Sequence, residues 1–224
     1  MALRLFIDSA DRGVWAELLP LGLFAGITTN PTLLMRAGVA CSLPALQHLV
    51  GSALDFGCKE LHLQAWGSTS AELLACGQSL TALAPGKVVV KLPLTEPGLQ
   101  AGSSLLLAGE RITLTACFGV SQALAAAALQ ASYVAPYLGR IGEAGADGIA
   151  EVTAMQRCLA GVGSRTRLLV ASLRSVQDLI RLAPCGIDTY TLSPSLIRQL
   201  WSDGATDAAV AQFERDAKEA GRAG

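Results

Sequence analysis

The chain has 224 residues, of which 51% are hydrophobic and 16% are charged, and its formal net charge at pH 7 is −1. This length and this apolar fraction suit one domain with a large hydrophobic core. The near-zero charge gives no reason to expect nucleic acid or an anionic membrane as a partner, and no apolar run is long enough to span a bilayer.

Strand-like and helix-like segments alternate along the chain. A first strand at 3–8 precedes a short helix at 11–19, and a second strand at 26–30 ends before Pro31, which can open a helix because its missing N–H is not needed there. Further strands are predicted at 60–66, 87–93, 111–117, 133–138, 167–172 and 189–193. Further helices are predicted at 42–56, 68–83, 96–107, 121–130, 149–159, 175–182, 194–201 and 206–220, with a glycine-rich loop at 139–148.

Eight strands, each followed by a helix, predict a (β/α)8 barrel of the α/β class. The alternative is a doubly wound open sheet, but the first turn, at 8–11, lacks the glycine-rich fingerprint of that fold. No linker or internal repeat interrupts the pattern. We therefore expect one domain over residues 1–224, with the helix at 206–220 as an extension that closure of the barrel does not need.

Lys91 stands near the end of the strand at 87–93, which stops at Pro93. A run that is apolar on both sides is typical of a parallel strand covered on both faces. Burial of an ammonium group there is costly and lowers its pKa, so the side chain can act as a neutral amine that attacks a ketone or aldehyde and forms a Schiff base. The alternative is a lysine whose long side chain reaches water from the strand end.

Polar residues occupy the carboxyl ends of seven of the predicted strands. In a barrel these ends meet on one face, where active sites are built. Strand ends are often polar because loops follow them, but the amino ends of these strands carry charged residues instead: Arg4, Glu60, Lys87 and Arg111. The polar residues at the carboxyl ends are Asp8, Asn30, Gln64, Lys91, Thr115, Tyr137 and Ser172.

Side-chain alternation along a strand places His62 on the same inward face as Gln64, one layer below the expected site. We interpret His62 as a hydrogen-bonded interior residue rather than a catalyst. The charged residues at the amino ends of the strands are expected to pair across the barrel floor as a structural device.

Arg140, Ser172 and Arg174 follow the sixth and seventh strands. Barrels commonly bind phosphate near their last strands, and an arginine fork with a hydroxyl suits a phosphate group. A single arginine is usually a solvated surface charge, so this interpretation depends on the three residues occurring together.

Five blocks of the sequence carry a specific resemblance. They are Phe-Ile-Asp at 6–8, Gly-Ile-Thr-Thr-Asn-Pro-Thr at 26–32, Val-Lys-Leu-Pro-Leu-Thr at 90–95, Tyr-Val-Ala-Pro-Tyr-Leu-Gly-Arg-Ile at 133–141 and Ala-Ser-Leu-Arg at 171–174. In this order, over essentially the whole chain, they resemble the short transaldolase and fructose-6-phosphate aldolase family.

The resemblance implies a (β/α)8 barrel with class I aldolase chemistry, in which Lys91 forms the Schiff base and Asp8 is the catalytic aspartate. It also implies that the hydroxyls of dihydroxyacetone are held by Thr28 and Asn30. The groups that it implies around the catalytic water are Gln64, Thr115 and Tyr137. The phosphate clamp that it implies consists of Arg140, Ser172 and Arg174.

Two of these positions bear on the activity. Transaldolases of the family usually carry glutamate in place of Gln64 and phenylalanine in place of Tyr137. This pair therefore predicts an aldolase that cleaves and forms fructose 6-phosphate, with dihydroxyacetone and glyceraldehyde 3-phosphate as the other partners. Arg174 favours the alternative, a transaldolase of the pentose phosphate pathway, because the aldolases often have lysine there. Ser9 replaces the family's usual threonine, which is a mild change.

Two other classes fit parts of the pattern. A pyridoxal-phosphate protein would also use a barrel lysine and a phosphate clamp, and its visible absorbance would distinguish it. A catalytically silent binding barrel is the other class, and the complete set of polar strand ends speaks against it.

The composition and the two ends of the chain lead to expectations about cofactors, localisation and oligomeric state. The six cysteines are scattered and only two histidines occur, so we expect no metal site and no cofactor. Asp8 interrupts the amino terminus too early for a signal peptide, and reduced cysteines suit a cytoplasmic protein. The apolar stripe at 206–220 and the resemblance to oligomeric aldolases predict a homo-oligomer. The resemblance also predicts that the protein acts on a sugar phosphate.

Overall fold

Eight parallel strands close into a barrel in the computed structural model, which describes residues 2–221. Each strand pairs with its neighbours in chain order, and the last strand closes the ring by pairing with the first. The strands are β1 (Arg4–Asp8), β2 (Phe24–Thr28), β3 (Leu61–Gln64), β4 (Val88–Pro93), β5 (Ile112–Cys117), β6 (Tyr133–Pro136), β7 (Arg167–Val170) and β8 (Thr189–Leu192). The predicted (β/α)8 barrel is confirmed.

Helices surround the barrel and connect its strands. They are α1 (Arg12–Leu18), α2 (Pro31–Arg36), α3 (Leu43–Asp55), α4 (Ser70–Leu83), α5 (Glu96–Leu107), α6 (Val120–Leu129), α7 (Leu138–Glu143), α8 (Gly148–Gly161), α9 (Val176–Leu182), α10 (Pro194–Gln199) and α11 (Gly204–Ala220). Side-chain caps set many of their starts; Thr69 and Glu72, for example, form a reciprocal capping box at α4. Over residues 2–221, no helix is both long and apolar enough to cross a membrane.

Two apolar layers hold the fold together. The larger one lies between the strands and the helices and includes the fully buried side chains of Trp15, Leu46, Leu80 and Leu105. The smaller one fills the inside of the barrel with Phe6, Val89, Tyr133, Ala135 and Leu169. Because the barrel interior is packed, open space for a ligand is found at the ends of the strands.

Several sequence-based boundaries are wrong. The sixth and seventh strands end at Pro136 and Val170, so Tyr137 and Ser172 lie just beyond them. The segment at 139–148 is not a loop throughout, because α7 begins at Leu138; Leu138 and Ile141 are buried, and their packing stabilises this short helix despite its glycines. The second strand runs over Phe24–Thr28 and so ends before Asn30. Asn30 instead caps α2, where its side-chain Oδ1 accepts a hydrogen bond from the Leu33 N–H at 3.0 Å.

Glu60 lies at the amino ends of the strands, which form the barrel floor, and it accepts hydrogen bonds from several charged and polar groups there. Its Oε2 accepts hydrogen bonds from Arg111 at 2.6 Å and Arg4 at 3.2 Å, and its Oε1 accepts one from Tyr133 at 2.7 Å. Burial alone would raise the pKa of Glu60, but hydrogen bonds from His62 and these neighbours outweigh it and lower the pKa. Glu60 is therefore an ionised carboxylate, as the predicted pairing across the floor requires.

Lys87 does not join this floor network, so that part of the prediction is wrong. It precedes β4 and is exposed, because the strand begins one residue later.

His62 is fully buried, with Nε2 2.9 Å from Glu60 and Nδ1 2.9 Å from the Thr113 hydroxyl. Burial lowers the pKa of His62, which makes it a neutral interior residue between two hydrogen-bond partners.

Candidate active site

A cavity of about 770 Å³ opens at the carboxyl ends of the strands. Barrel enzymes build their active sites at this face. Nine of the ten predicted site residues line the cavity: Asp8, Thr28, Asn30, Gln64, Lys91, Tyr137, Arg140, Ser172 and Arg174. The remaining one, Thr115, lies behind the wall and reaches the cavity through a hydrogen bond to Tyr137.

Lys91 projects from β4 into the centre of this face. The residue is only 6% exposed, and its Nζ donates a hydrogen bond to the Thr29 main-chain carbonyl at 2.8 Å. Burial lowers the pKa of the amine, while the negative charge of Asp8 acts in the opposite direction. A desolvated amine of this kind loses its proton more readily than a surface lysine and becomes a nucleophile.

Asp8 ends β1 beside Lys91. Burial raises the pKa of its carboxyl group, and the positive charge of Lys91, the Thr28 hydrogen bond and the charge of Arg36 act against that rise. The Thr28 hydroxyl donates to Asp8 Oδ1 at 2.7 Å, and the Thr191 hydroxyl lies 2.5 Å from that of Thr28. Because Thr28 has a single proton and gives it to Asp8, Thr191 is the donor to Thr28. These hydrogen bonds fix the orientation of the Asp8 carboxyl group in the cavity.

Gln64 and the Thr115–Tyr137 pair flank Lys91, because β3 carries Gln64 on one side of β4, and β5 and the end of β6 carry the pair on the other. The Gln64 side-chain N–H groups donate to the main-chain oxygens of Lys91 at 3.1 Å and Ala65 at 3.3 Å. The hydroxyls of Thr115 and Tyr137 are 2.7 Å apart, and the Phe118 ring packs edge-on against Tyr137 with centroids 5.8 Å apart. These contacts hold the Tyr137 hydroxyl in the cavity, where it can give a proton.

Two arginines and one serine lie at the rim of the cavity near β6 and β7: Arg140, Arg174 and Ser172. Arg140 lies over the Tyr137 ring at 5.1 Å, and Arg174 forms an ion pair with the exposed Glu143. Ser172 has a φ of 59°, a left-handed conformation that is uncommon outside glycine and often marks functional sites. Gly139 allows the close approach, since an added Cβ would lie 2.5 Å from the Ser172 carbonyl oxygen and 2.7 Å from Arg174 Nε.

Two polar side chains of the cavity that act on Asp8 or its hydrogen-bond partner, Thr191 and Arg36, were not among the predicted site residues. Thr191, on β8, continues the hydrogen-bond chain that starts at Asp8, and Arg36, on α2, adds a positive charge at the mouth. The signal for Thr191 was present, because it alternates with Thr189 on the inward face of a predicted strand. Among residues 2–221, no cluster of three or more His, Cys, Asp or Glu side chains is suited to a metal ion.

Comparisons with known proteins match almost the whole chain. A family model described as "Transaldolase/Fructose-6-phosphate aldolase" matches residues 5–223. A "Probable transaldolase" of Caulobacter sp. (strain K31) is 34% identical over 214 residues, which is 96% of each chain. A "Probable transaldolase" of Dinoroseobacter shibae (strain DSM 16493 / NCIMB 14021 / DFL 12) is 32% identical and covers 98% of this chain and 99% of its own.

Solved structures support the architecture. A mutant of flavocytochrome b2 superposes with a TM-score of 0.58 at 12% identity, over 85% of this chain and 56% of that chain. At this identity the likeness concerns the fold alone.

Proposed function

We propose that this chain, which belongs to the transaldolase/fructose-6-phosphate aldolase family, cleaves a ketose phosphate through a Schiff base on Lys91. The observation that carries the proposal is the buried Lys91 amine, which lies in a cavity of about 770 Å³ at the carboxyl ends of the strands. Class I aldolase chemistry is common to both activities of the family.

The first half of the reaction follows from the chemistry of the cavity. Neutral Lys91 adds to the ketose carbonyl, and loss of water gives an iminium ion that accepts the electron pair of the breaking C3–C4 bond. The C4 hydroxyl loses its proton as the aldehyde leaves, and Asp8 is the carboxylate beside Lys91 that we propose takes it. We propose that Thr28 and Asn30 hold the hydroxyls of the three-carbon unit. Asn30 uses only its Oδ1 to cap α2, and its amide N–H groups make no hydrogen bond within residues 2–221.

The fate of the enamine on Lys91 distinguishes the two activities. Release requires a proton on the enamine carbon and hydrolysis, and Tyr137 offers an oriented hydroxyl for that proton. Gln64 cannot act as a carboxylate base, and its amide N–H groups are bound to main-chain oxygens. These side chains support an aldolase that releases dihydroxyacetone and glyceraldehyde 3-phosphate from fructose 6-phosphate.

Transfer of the three-carbon unit to a second aldehyde is the other candidate. The printed names of the relatives fit this transaldolase activity better than the aldolase activity. Arg174, which stands at the rim of the cavity, is also the residue that the resemblance associates with transaldolases. Both candidates share the first half of the reaction and differ only in what accepts the enamine.

The test is an assay of fructose 6-phosphate cleavage with and without erythrose 4-phosphate. An aldolase forms free dihydroxyacetone and glyceraldehyde 3-phosphate in equal amounts without the acceptor. Turnover that requires erythrose 4-phosphate and yields a seven-carbon ketose phosphate would replace this assignment with transaldolase. No turnover under either condition would contradict both.

Asp8→Asn tests the coupling of Asp8 to Lys91. Burial lowers the pKa of Lys91 and the Asp8 charge holds it up in part, so removal of that charge lowers the pKa further. The neutral amine then persists to lower pH, and the acid limb of Schiff-base formation with dihydroxyacetone, trapped by cyanoborohydride, should move to lower pH. Overall turnover should fall by roughly 10²- to 10⁴-fold, as expected for loss of a general acid–base group. An acid limb that stays in place or moves to higher pH would refute the coupling.

The C-terminal helix supports the predicted homo-oligomer. Every residue of α11 is exposed in the single chain, including the apolar Val210 (53%) and Phe213 (68%). An amphipathic helix gains most from burial of its stripe, and we propose that α11 docks on a neighbouring subunit. The division of the chain into one barrel domain with this extension stays a prediction.

Deletion of the chain after Asp203 should lower the subunit count. The mass measured by light scattering should fall while the far-UV dichroism keeps the signal of the barrel, because α11 follows the eighth strand–helix unit. The full-length protein is the control. A full-length chain that is already monomeric at micromolar concentration would refute the docking.

A further inference from the structure

A second cavity, of about 870 Å³, lies at the opposite end of the barrel from Lys91. It is bounded by the carboxyl ends of α6 and α8 and by the residues that enter β5, β6 and β7. This volume is in the range of small-molecule sites. The polar residues that matter on its wall are Arg111, Ser132, Ser164, Arg165, Thr166 and Arg167.

The charged side chains on the wall of this second cavity, called the floor cavity below, are all positive among the described residues. Three arginines line it, and no Asp or Glu is found among the described residues of its wall. Arg111 is paired with Glu60 at 2.6 Å and Arg167 with Asp188 at 3.0 Å, whereas Arg165 is exposed and makes no side-chain hydrogen bond or ion pair within residues 2–221. One guanidinium and the unused N–H groups of two others are therefore available to an anion.

Thr166 provides an independent observation. The residue is 6% exposed, and its Oγ1 is buried with no hydrogen-bond partner. A buried hydroxyl without a partner is costly, and Thr166 lines the cavity, so a side-chain rotation that brings Oγ1 to a phosphate oxygen would recover that loss. Ser164 stands beside it and accepts a hydrogen bond from the Thr166 N–H at 3.1 Å, which leaves the proton of the Ser164 hydroxyl free to donate.

Stabilisation of helix ends does not account for these residues. Basic side chains do favour the carboxyl ends of helices. Yet carbonyls at both ends already have main-chain partners: Ala131 N–H donates to Ala126 at the end of α6, and Ser164 N–H donates to Leu159 at the end of α8. Arg165 bonds to none of these carbonyls, and a role at a helix end would explain neither the cavity nor the unpaired Thr166 hydroxyl.

We propose that the floor cavity is a second anion site, which binds the phosphate group of a small organic phosphate through Arg165, Arg167 and the hydroxyls of Ser164 and Thr166. A guanidinium fork and hydroxyl donors suit phosphate oxygens. The cavity is larger than a phosphate ion, and the apolar Leu124 and Val162 on its wall give room for a carbon skeleton. This site is separate from Lys91 and does not depend on the proposed function.

Protection of Arg165 from phenylglyoxal tests the site. The full-length protein is modified with and without inorganic phosphate or glycerol 3-phosphate, and the rate at Arg165 is followed by peptide mass spectrometry. Arg157, which is exposed on α8 and does not line either cavity, is the internal reference. We expect saturable slowing at Arg165 by at least fivefold, at lower concentrations of glycerol 3-phosphate than of inorganic phosphate, with no change at Arg157.

Thr166→Val supplies the second arm. Loss of the hydroxyl should raise the half-protecting concentration about fivefold to tenfold, the equivalent of one hydrogen bond, while thermal stability does not fall because an unpaired group is removed. Equal protection by both phosphates would overturn the organic ligand in favour of the free ion. Three outcomes would overturn the site. The first is that phosphate protects Arg165 no more than Arg157, and the second is that Thr166→Val leaves the protection unchanged. The third is that Arg165 is unreactive even without phosphate, because another surface covers it.

Discussion

Lys91→Met is expected to lower kcat/KM for ketose-phosphate cleavage by on the order of 10⁶-fold or more. Without the amine no Schiff base forms, and the carbanion that develops as the C3–C4 bond breaks loses its electron sink. Enzymes typically accelerate reactions by about 10⁶-fold at the least, and we expect the proposed covalent route to carry most of that acceleration.

The fold should survive this substitution. Burial lowers the pKa of Lys91, so folding at neutral pH has to desolvate an ammonium group or remove its proton. Methionine has no charge to desolvate, and we expect an unfolding temperature equal to or higher than that of the parent chain. Lys87→Met is the matched control, because Lys87 is exposed at the other end of β4 and should keep full activity. Substantial activity in Lys91→Met would refute the covalent role.

Arg140→Ala is expected to separate phosphorylated from unphosphorylated substrates. Arg140 lines the active-site cavity, packs over Tyr137, and has no carboxylate partner within residues 2–221. Loss of a charge-assisted contact to phosphate should weaken transition-state binding by about 2–4 kcal/mol. The value of kcat/KM for glyceraldehyde 3-phosphate should therefore fall roughly 30- to 1000-fold. The loss for glyceraldehyde, measured in the direction of bond formation, should be much smaller.

The comparison of the two aldehydes makes this test independent of protein stability. Arg157→Ala, on the exposed face of α8, is the surface control and should leave both rates unchanged. Equal losses for both aldehydes in Arg140→Ala would show that Arg140 supports the cavity rather than binding phosphate.

Much of this site could be predicted because its residues follow from local patterns. The strand around Lys91 is apolar on both faces, so its type, its end at Pro93 and the burial of the lysine were all accessible from a few residues. The convergence of Asp8, Gln64 and Tyr137 then followed from barrel geometry alone, because parallel strands present their carboxyl ends on one face.

The remaining features depend on contacts between distant parts of the chain. The bond from Lys91 to the Thr29 carbonyl needs the register of β2, β3 and β4, which periodicity does not supply. Helix α7 was missed because its glycines indicate a loop, while the burial of Ile141 that stabilises it is a tertiary effect. Thr191 was missed because hydroxyl residues within a strand are common, and its contact to Thr28 appears only when β8 closes against β1.

The central claim is that Lys91 is the nucleophile, and borohydride trapping tests it most directly. The full-length protein is incubated with dihydroxyacetone, reduced with sodium borohydride and mapped by peptide mass spectrometry. We predict one reduced three-carbon adduct per chain, on Lys91, and none without the ketose. An adduct on Lys87 or another lysine instead, or no adduct in an active preparation, would contradict the account.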